Sequence, residues 1–507
     1  MKKTFFLPLI ASLTSVSLGQ ETIHVPGDVS NIQAGIGIAN PGDTILVAPG
    51  TYNETIDFLG KAVTVASSGG PVATRIDPLG LGSAVSFHSQ ERKNSVLRGF
   101  TITGGVSTTN PGGGISCLDL SGPGGPASPL IETCIIENNQ TTFASGGGVG
   151  GDATLVTCVI RNNNAGLGCG GGVWGAATLI DCLVTNNVAQ DGGGLFLQGD
   201  GALVDNCTIR NNRAVDGARG GGIHAAPGVI EDQTILIRRS TIIDNTSNGL
   251  SQASSRGGAI HISAAAGVVE IERCTILDNK ALPSIGSDDY GGIFGPATVT
   301  DTIVRDNDFN QISATTDCRY SNIQGGAPGI GNIDAQAIFM DRTAGDYMLV
   351  PGSPGVDAGD PASPQDPDCT RADQGAHPLF QASVTVRNGS GINPICFHSL
   401  SFPVIGTTWR GRVDTSVKPN ANFALILGDN GFMDVPFLTN FGGEAIIELD
   451  TLIIAVPVPA TGGLDEFSVS IPNDLTLIGF DGAMQAFLLT NTTPVAACNA
   501  LQIKLGL

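Results

Sequence analysis

Aliphatic residues along this chain alternate with polar or small ones in runs too short for an amphipathic helix, and the runs recur at a fixed spacing. Two signatures carry the recurrence. The first is a glycine run leading into an aliphatic residue: Gly112-Gly113-Gly114-Ile115, Gly146 to Val149, Gly170 to Val173, Gly192 to Leu195, Gly220 to Ile223, Gly257 to Ile260 and, more loosely, Gly291 to Ile293. The second is a small residue, an aliphatic two positions on and an Asn or Asp two further. It reads Cys134-Ile135-Ile136-Glu137-Asn138, then Cys158 to Asn162, Cys182 to Asn186, Cys207 to Asn211, Ser240 to Asp244, Cys274 to Asp278 and Thr302 to Asp306. The signatures alternate, a third strand-like segment such as Ala177 to Asp181 lies between them, and Cys134, Cys158, Cys182 and Cys207 stand 24, 24 and 25 residues apart. One period therefore predicts three short strands and three bends, a single coil of a parallel β-helix.

Strand alternation then assigns faces. With Ile136, Ile160, Val184 and Ile209 inward, Cys134, Cys158, Cys182 and Cys207 also point inward. The column Asn138, Asn162, Asn186 and Asn211 has the same parity, which predicts a ladder of stacked amides about 4.8 Å apart. Because it repeats in every coil, it reads as structure rather than as a site. The residue after each glycine-run aliphatic points outward, and in successive coils it is Trp174, Phe196, His224, His261 and Phe294.

These repeats resemble the pectate-lyase-like right-handed parallel β-helix superfamily. Their paired Gly-Gly-Ala-Ile and Asn signatures are similar to the repeats of polymorphic outer-membrane proteins and autotransporter passengers. The resemblance covers residues 21–378 and implies an all-β fold of three strands per coil. Asn31 to Ala39 reads as a short N-terminal capping helix with Ile32, Ile36 and Ile38 on its apolar side. Pro41 to Val47 and Pro49 to Tyr52 resemble the first coil of secreted bacterial β-helix proteins. Gly345-Asp346-Tyr347, Ser353 to Asp360 and Asp373 to Ala376 resemble their closing segment. From Phe380 the repeats stop, and strand-like stretches from Ala382 to Leu489 predict a C-terminal β-sandwich. The expected division is a signal peptide over 1–19, a β-helix over 20–378 and a β-sandwich over 379–507.

Lys2 and Lys3, the apolar stretch Phe5 to Leu18, and the small residues Ser17 and Gly19 predict export, with the mature chain starting at Gln20. No later stretch is apolar for long enough to span a bilayer. The expected location is extracellular or at a bacterial cell surface. The net charge of −21 argues against nucleic acid or anionic lipid as partner and leaves calcium among the carboxylates as a cofactor to consider. The 11 cysteines are an odd number, so at least one is unpaired. The ladder cysteines favour inert buried thiols, while Cys396 with Cys498, and Cys318 with Cys369, are placed to bridge.

The resemblance also brings chemistry to test. Pectate lyases use an Arg-x-Pro-x-x-Arg setting, and polygalacturonases carry Asn-Thr-Asp, Asp-Asp, Gly-His-Gly and Arg-Ile-Lys. Here Arg75-Ile76-Asp77 lacks the Lys, and Asp288-Asp289 has no Gly-His-Gly downstream. Two features remain. The outward stripe Trp174, Phe196, His224, His261, Phe294, with Tyr290, offers rings on which sugars stack; alternatively it is a covered packing seam. Between the Asn turn and the next glycine run, loops from Val188, Arg213, Thr246 and Lys280 lengthen into a groove wall. That wall holds Asp191, Arg213, Asp216, Arg219, Arg256, Lys280, Asp288 and Asp289, of which Arg219, Asp216, Asp288 and Asp289 are the catalytic candidates. His224 and His261 form a pair without an evident third metal ligand. The leading expectation is non-catalytic binding or adhesion to an extracellular polysaccharide or a surface partner. The alternative is a polysaccharide lyase, hydrolase or epimerase acting in the groove.

Overall fold

The computed structural model describes residues 20–118, 127–228, 233–249, 256–263, 267–282, 289–366, 368, 370–429, 431–438, 443–447, 454–491 and 493–507. Three long parallel sheets of twelve, eleven and ten strands dominate it, successive coils giving one strand to each. The ten-stranded glycine sheet holds the strands that follow the glycine runs, among them Ile115–Cys117, Val149–Gly151, Val173–Gly175 and Leu195–Gln198. The chain divides into two compact units. Residues up to 270, with 277–297 and 307–316, make the first; 271–276, 298–306 and 317–507 make the second.

In the first unit the glycine runs are demanded by close packing. A Cβ on Gly193 would stand 2.3 Å from the backbone carbon of Arg213, and one on Gly148 would meet the Asn163 amide nitrogen at 3.0 Å. The two sequence signatures thus interlock: the glycine turn leaves room for an amide column inside the coil. The first glycine of a run, such as Gly170 at φ +68°, takes the left-handed conformation that other residues avoid.

The amide column is displaced by one residue from the sequence expectation. Asn138, Asn162, Asn186 and Asn211 are exposed turn residues at φ 55°, 56°, 56° and 55°. Asn tolerates this left-handed backbone, and the turn breaks strand alternation so that the next residue points inward. The ladder is therefore Asn139, Asn163, Asn187, Asn212, Asn245, Asn279 and Asn307, all buried. Asn163 is typical: its Nδ2 donates to Asn187 Oδ1 at 3.0 Å and to Ile136 O at 2.9 Å, and its backbone N also donates to Asn187 Oδ1 at 3.0 Å. The column closes on Gln311 Oε1, which accepts from Asn307 Nδ2 at 2.8 Å.

Cys134, Cys158, Cys182 and Cys207 lie inside the coils as unbridged thiols donating to carbonyls two residues back, for example Cys182 to Ile180 O at 3.2 Å. Burial pushes the Cys134 thiol up to about 11. The segments read as loops from Val188, Arg213, Thr246 and Lys280 instead contain strands. Val188–Asp191, Arg213–Arg219, Thr246–Asn248 and Lys280–Leu282 pair in parallel as a four-stranded side sheet, because consecutive coils set these stretches within backbone hydrogen-bond reach. At the N-terminal end the helix Ile32–Ile38 buries Ile32 and Ile36, whereas Ile38 is 62% exposed, contrary to expectation. Asn31 Oδ1 accepts from Ala34 N at 2.8 Å, and the Glu54 carboxylate accepts from Ile32 N and Gln33 N at 3.0 Å each.

In the second unit Ile303–Arg305 and Asn322–Ile323 continue the parallel pairing, and the closing segment folds onto these coils: Gly375 N donates to Asp301 O at 2.8 Å and Ala376 N to Thr275 Oγ1 at 2.9 Å. Antiparallel pairing then takes over. A five-stranded sheet orders Ser383–Arg387, Thr493–Lys504, Asp481–Thr490, Phe423–Asp429 and Ile454–Pro459. A three-stranded sheet joins Phe397–Ser399, Thr408–Asp414 and Leu464–Ser470. Phe397, Trp409 and Phe467 from the smaller sheet share a core with Ile426, Leu488 and Leu501 from the larger, and a Cys396–Cys498 disulfide joins the two. Cys318 is a buried free thiol; Cys369 lies outside the described residues, as does the proposed signal segment 1–19. Among the described residues no helix is long and apolar enough to cross a membrane.

Candidate functional site

The outer face of the glycine sheet carries one residue per coil in strict register. Asp57 pairs with Ser86, Ser86 with Ser116, Ser116 with Gly150, and Gly150 with Trp174; the column continues through Phe196, His224, His261 and Phe294. Its inward neighbours Val85, Ile115, Val149, Val173, Leu195, Ile223 and Ile260 are fully buried, which fixes the direction of the column.

Accessibility along the column is uneven. Trp174 and Phe196 are half-buried and offer ring surface. His224 and His261 are 2% and 6% exposed, sealed between rings. Phe196 and His224 lie 4.5 Å apart between centroids, His224 and His261 4.6 Å, and His261 and Phe294 5.4 Å. Tyr290 meets Phe294 edge-on at 5.0 Å, and the Arg256 guanidinium sits 4.8 Å above the Phe294 ring. Burial and the nearby Arg219 charge push the His224 imidazole down to about 3. Burial first, then His224, Arg219 and Arg256, push His261 down to about 2. Both rings are thus neutral; His224 Nε2 shares a hydrogen bond with Ser263 Oγ at 2.8 Å, and both Nδ1 atoms lack a partner among the described residues. No group of three His, Cys, Asp or Glu able to hold a metal occurs among the described residues.

Beside the column, the side sheet lines up Asp191 with Arg219, and β-bridges continue the row to Arg256 and Tyr290. Arg213, Thr246 and Lys280 form a parallel row. Burial raises the Asp191 carboxyl above its ordinary range, the Arg219 charge opposing it, and Arg219 N donates to Asp191 Oδ1 at 3.2 Å. The catalytic candidates separate here. Arg219 joins this row, and Asp216 is exposed on a bulged stretch at φ 66°. Asp289 is buried, its backbone carbonyl accepting from Asn310 Nδ2 at 3.0 Å, and Asp288 lies outside the described residues.

The earlier coils hold a feature that sequence reasoning missed. An open cleft of about 770 Å³ is floored by Ser86 and Ser116, members of the outward column, and walled by residues 80–83 and 106–110. Ser107 locks the second wall: its Oγ donates to Asn110 O at 2.7 Å and accepts from Asn110 N at 3.2 Å. Thr108, Thr109 and Asn110 stand exposed on that turn. The signal was available in the sequence, since Ser116 follows Ile115 as Trp174 follows Val173.

Residues 106–327 match the family described as a right handed beta helix region. A search of curated proteins finds no matching sequence.

Proposed function

We propose, for a chain built around a right-handed β-helix region, that it binds an extended extracellular polysaccharide along the outer face of the glycine sheet without chemical turnover. The observation that carries this reading is the register of that face: half-exposed Trp174 and Phe196 are adjacent rungs of one column. Successive strands repeat every 4.8 Å or so, so the two rings form a continuous platform for the apolar faces of sugar rings. The sealed histidines stiffen its far end rather than offering a free base. The extracellular setting rests on the leader-like run Lys2 to Gly19.

The test is incubation of the full chain with acidic and neutral polysaccharides, with and without calcium. Pull-down, unsaturated-product absorbance and reducing ends are followed together. Binding without product is expected, with affinity falling on Trp174→Ala or Phe196→Ala. A second reading, a lyase, hydrolase or epimerase in the same groove, draws on the desolvated Asp191 carboxyl beside Arg219. Product formation lost in Asp191→Asn or Arg219→Ala would replace the first reading with the second.

A further inference from the structure

We infer that the cleft over Ser86 and Ser116 is a binding site for neutral, hydroxyl-rich sugar, an inference that rests on the polysaccharide reading above and names its substrate class. The volume of about 770 Å³ falls within the range of about 300–1,000 Å³ typical of small-ligand sites. Its chemistry is unlike that of an apolar pocket. Hydroxyls of Thr55, Ser86, Thr108, Thr109 and Ser116 and the Asn110 amide line it, and each group both donates and accepts hydrogen bonds. None of these six side chains is hydrogen-bonded to another described residue, so they are open to a ligand whose own hydroxyls do the same.

The charge pattern sets the class. His88 is the one ionisable side chain among the described residues lining the cleft, and it is paired with Asp57 Oδ2 at 3.3 Å. Among the described residues no Lys or Arg lines it, in a protein whose net charge of −21 repels anions at long range. A uronate or sulfated sugar would find no counter-charge here, whereas a neutral one loses nothing. Leu81 and Val106, 81% and 36% exposed, supply apolar rim for the C–H face of a ring. In register the floor leads through Gly150 to Trp174, but the Pro111 and Gly112 backbone covers Gly150, so the cleft and the aromatic platform are two separate stations on one face.

The experiment is calorimetric titration of the full chain with cellohexaose, xylohexaose, mannohexaose and laminarihexaose against hexagalacturonate. Ser86→Trp, which fills the floor, is compared with Thr109→Ala and Asn110→Ala, which sit on an exposed turn away from the core, and with Trp174→Ala. We expect a neutral hexasaccharide to bind, and both the filling variant and the turn variants to lose about tenfold or more in affinity. Binding weakened by Trp174→Ala but unchanged in all three cleft variants overturns the cleft and leaves the polysaccharide reading standing. Preference for hexagalacturonate does the same. If no sugar binds, both readings fall.

Discussion

The interior amide column and the outer column of the glycine sheet are built by the same coils, yet they obey opposite rules. Inside, Asn139, Asn163, Asn187, Asn212, Asn245, Asn279 and Asn307 repeat without substitution, each of the first six donating its amide to the next and Asn307 closing on Gln311. Outside, Asp57, Ser86, Ser116, Gly150, Trp174, Phe196, His224, His261 and Phe294 change chemistry from coil to coil. A residue that must satisfy a buried polar group has one solution per coil, because an orphaned amide or carbonyl has no water to turn to. A residue on the outer face, free of that column's bonds, has many. Sameness therefore marks what holds the coils together, and difference marks where they meet something else.

Neighbouring residues give the sharpest way to break this comparison. Asn163→Ala removes one donor to Ile136 O and the acceptor for two groups of Asn139, so it should cost about 3–5 kcal/mol in urea unfolding, with Asn162→Ala nearer about 1 kcal/mol. Equal costs at 162 and 163 would refute the one-residue displacement of the ladder. Next in size, Gly193→Ala should cost about 2–4 kcal/mol, because its Cβ meets backbone rather than a side chain that can give way. Trp409→Phe makes Trp174 the sole tryptophan, so fluorescence then follows the first unit alone.

The sealed histidines allow a test by pH. Their folded pKa values of about 3 and 2 lie below the ordinary 6.5, so the unfolded chain binds more protons between those limits. Their contribution is complete above pH 6.5 or so and lost on acidification toward 3, at up to about 1.4 kcal/mol per pH unit for each ring. Asp366 and Asp373 pull the other way: burial raises them to about 6 and 7, so their contribution is complete at low pH and lost as pH rises through those values. The difference between wild type and His224→Phe isolates the imidazole, and the variant should show the shallower acid slope. An unchanged slope would mean that His224 is solvated. Smallest of all, Trp174→Ala should change stability by under about 1 kcal/mol while weakening sugar binding; a large loss of stability would make the platform a packing seam.

The coil was legible in the sequence because its period is written twice, in the glycine runs and in the Cys and Asn signatures. The inward cysteines followed from simple alternation, since Cys134 and Ile136 sit on one unbroken stretch. The amide column did not, because a left-handed residue at 138, 162, 186 or 211 resets the face, and alternation carries no term for that. The side sheet was hidden by sequence insertions that made its strands look like loops of growing length. The cleft was hidden because the Ser86 coil lacks the glycine run and because the outward residues there are small hydroxyls rather than rings. Sealing of His224 and His261 depends on packing from other coils, which no local pattern encodes. In the C-terminal module, Thr493–Lys504 escaped notice because Pro494 and Asn499 interrupt its apolar pattern, although Asn499 there accepts from Cys396 N and Phe397 N.

The amide column also makes the molecule's length an adjustable quantity. Its rungs are 24, 24, 25, 33, 34 and 28 residues apart in sequence, yet every rung closes with the same bond, so the coil tolerates extra chain so long as it leaves between rungs. A duplicated coil would find a donor below and an acceptor above it already in place. It would extend the outer face by one strand spacing, about 4.8 Å, without disturbing either end. The protein is in this sense a ruler whose graduations are inside and whose reach can be reset one gene duplication at a time.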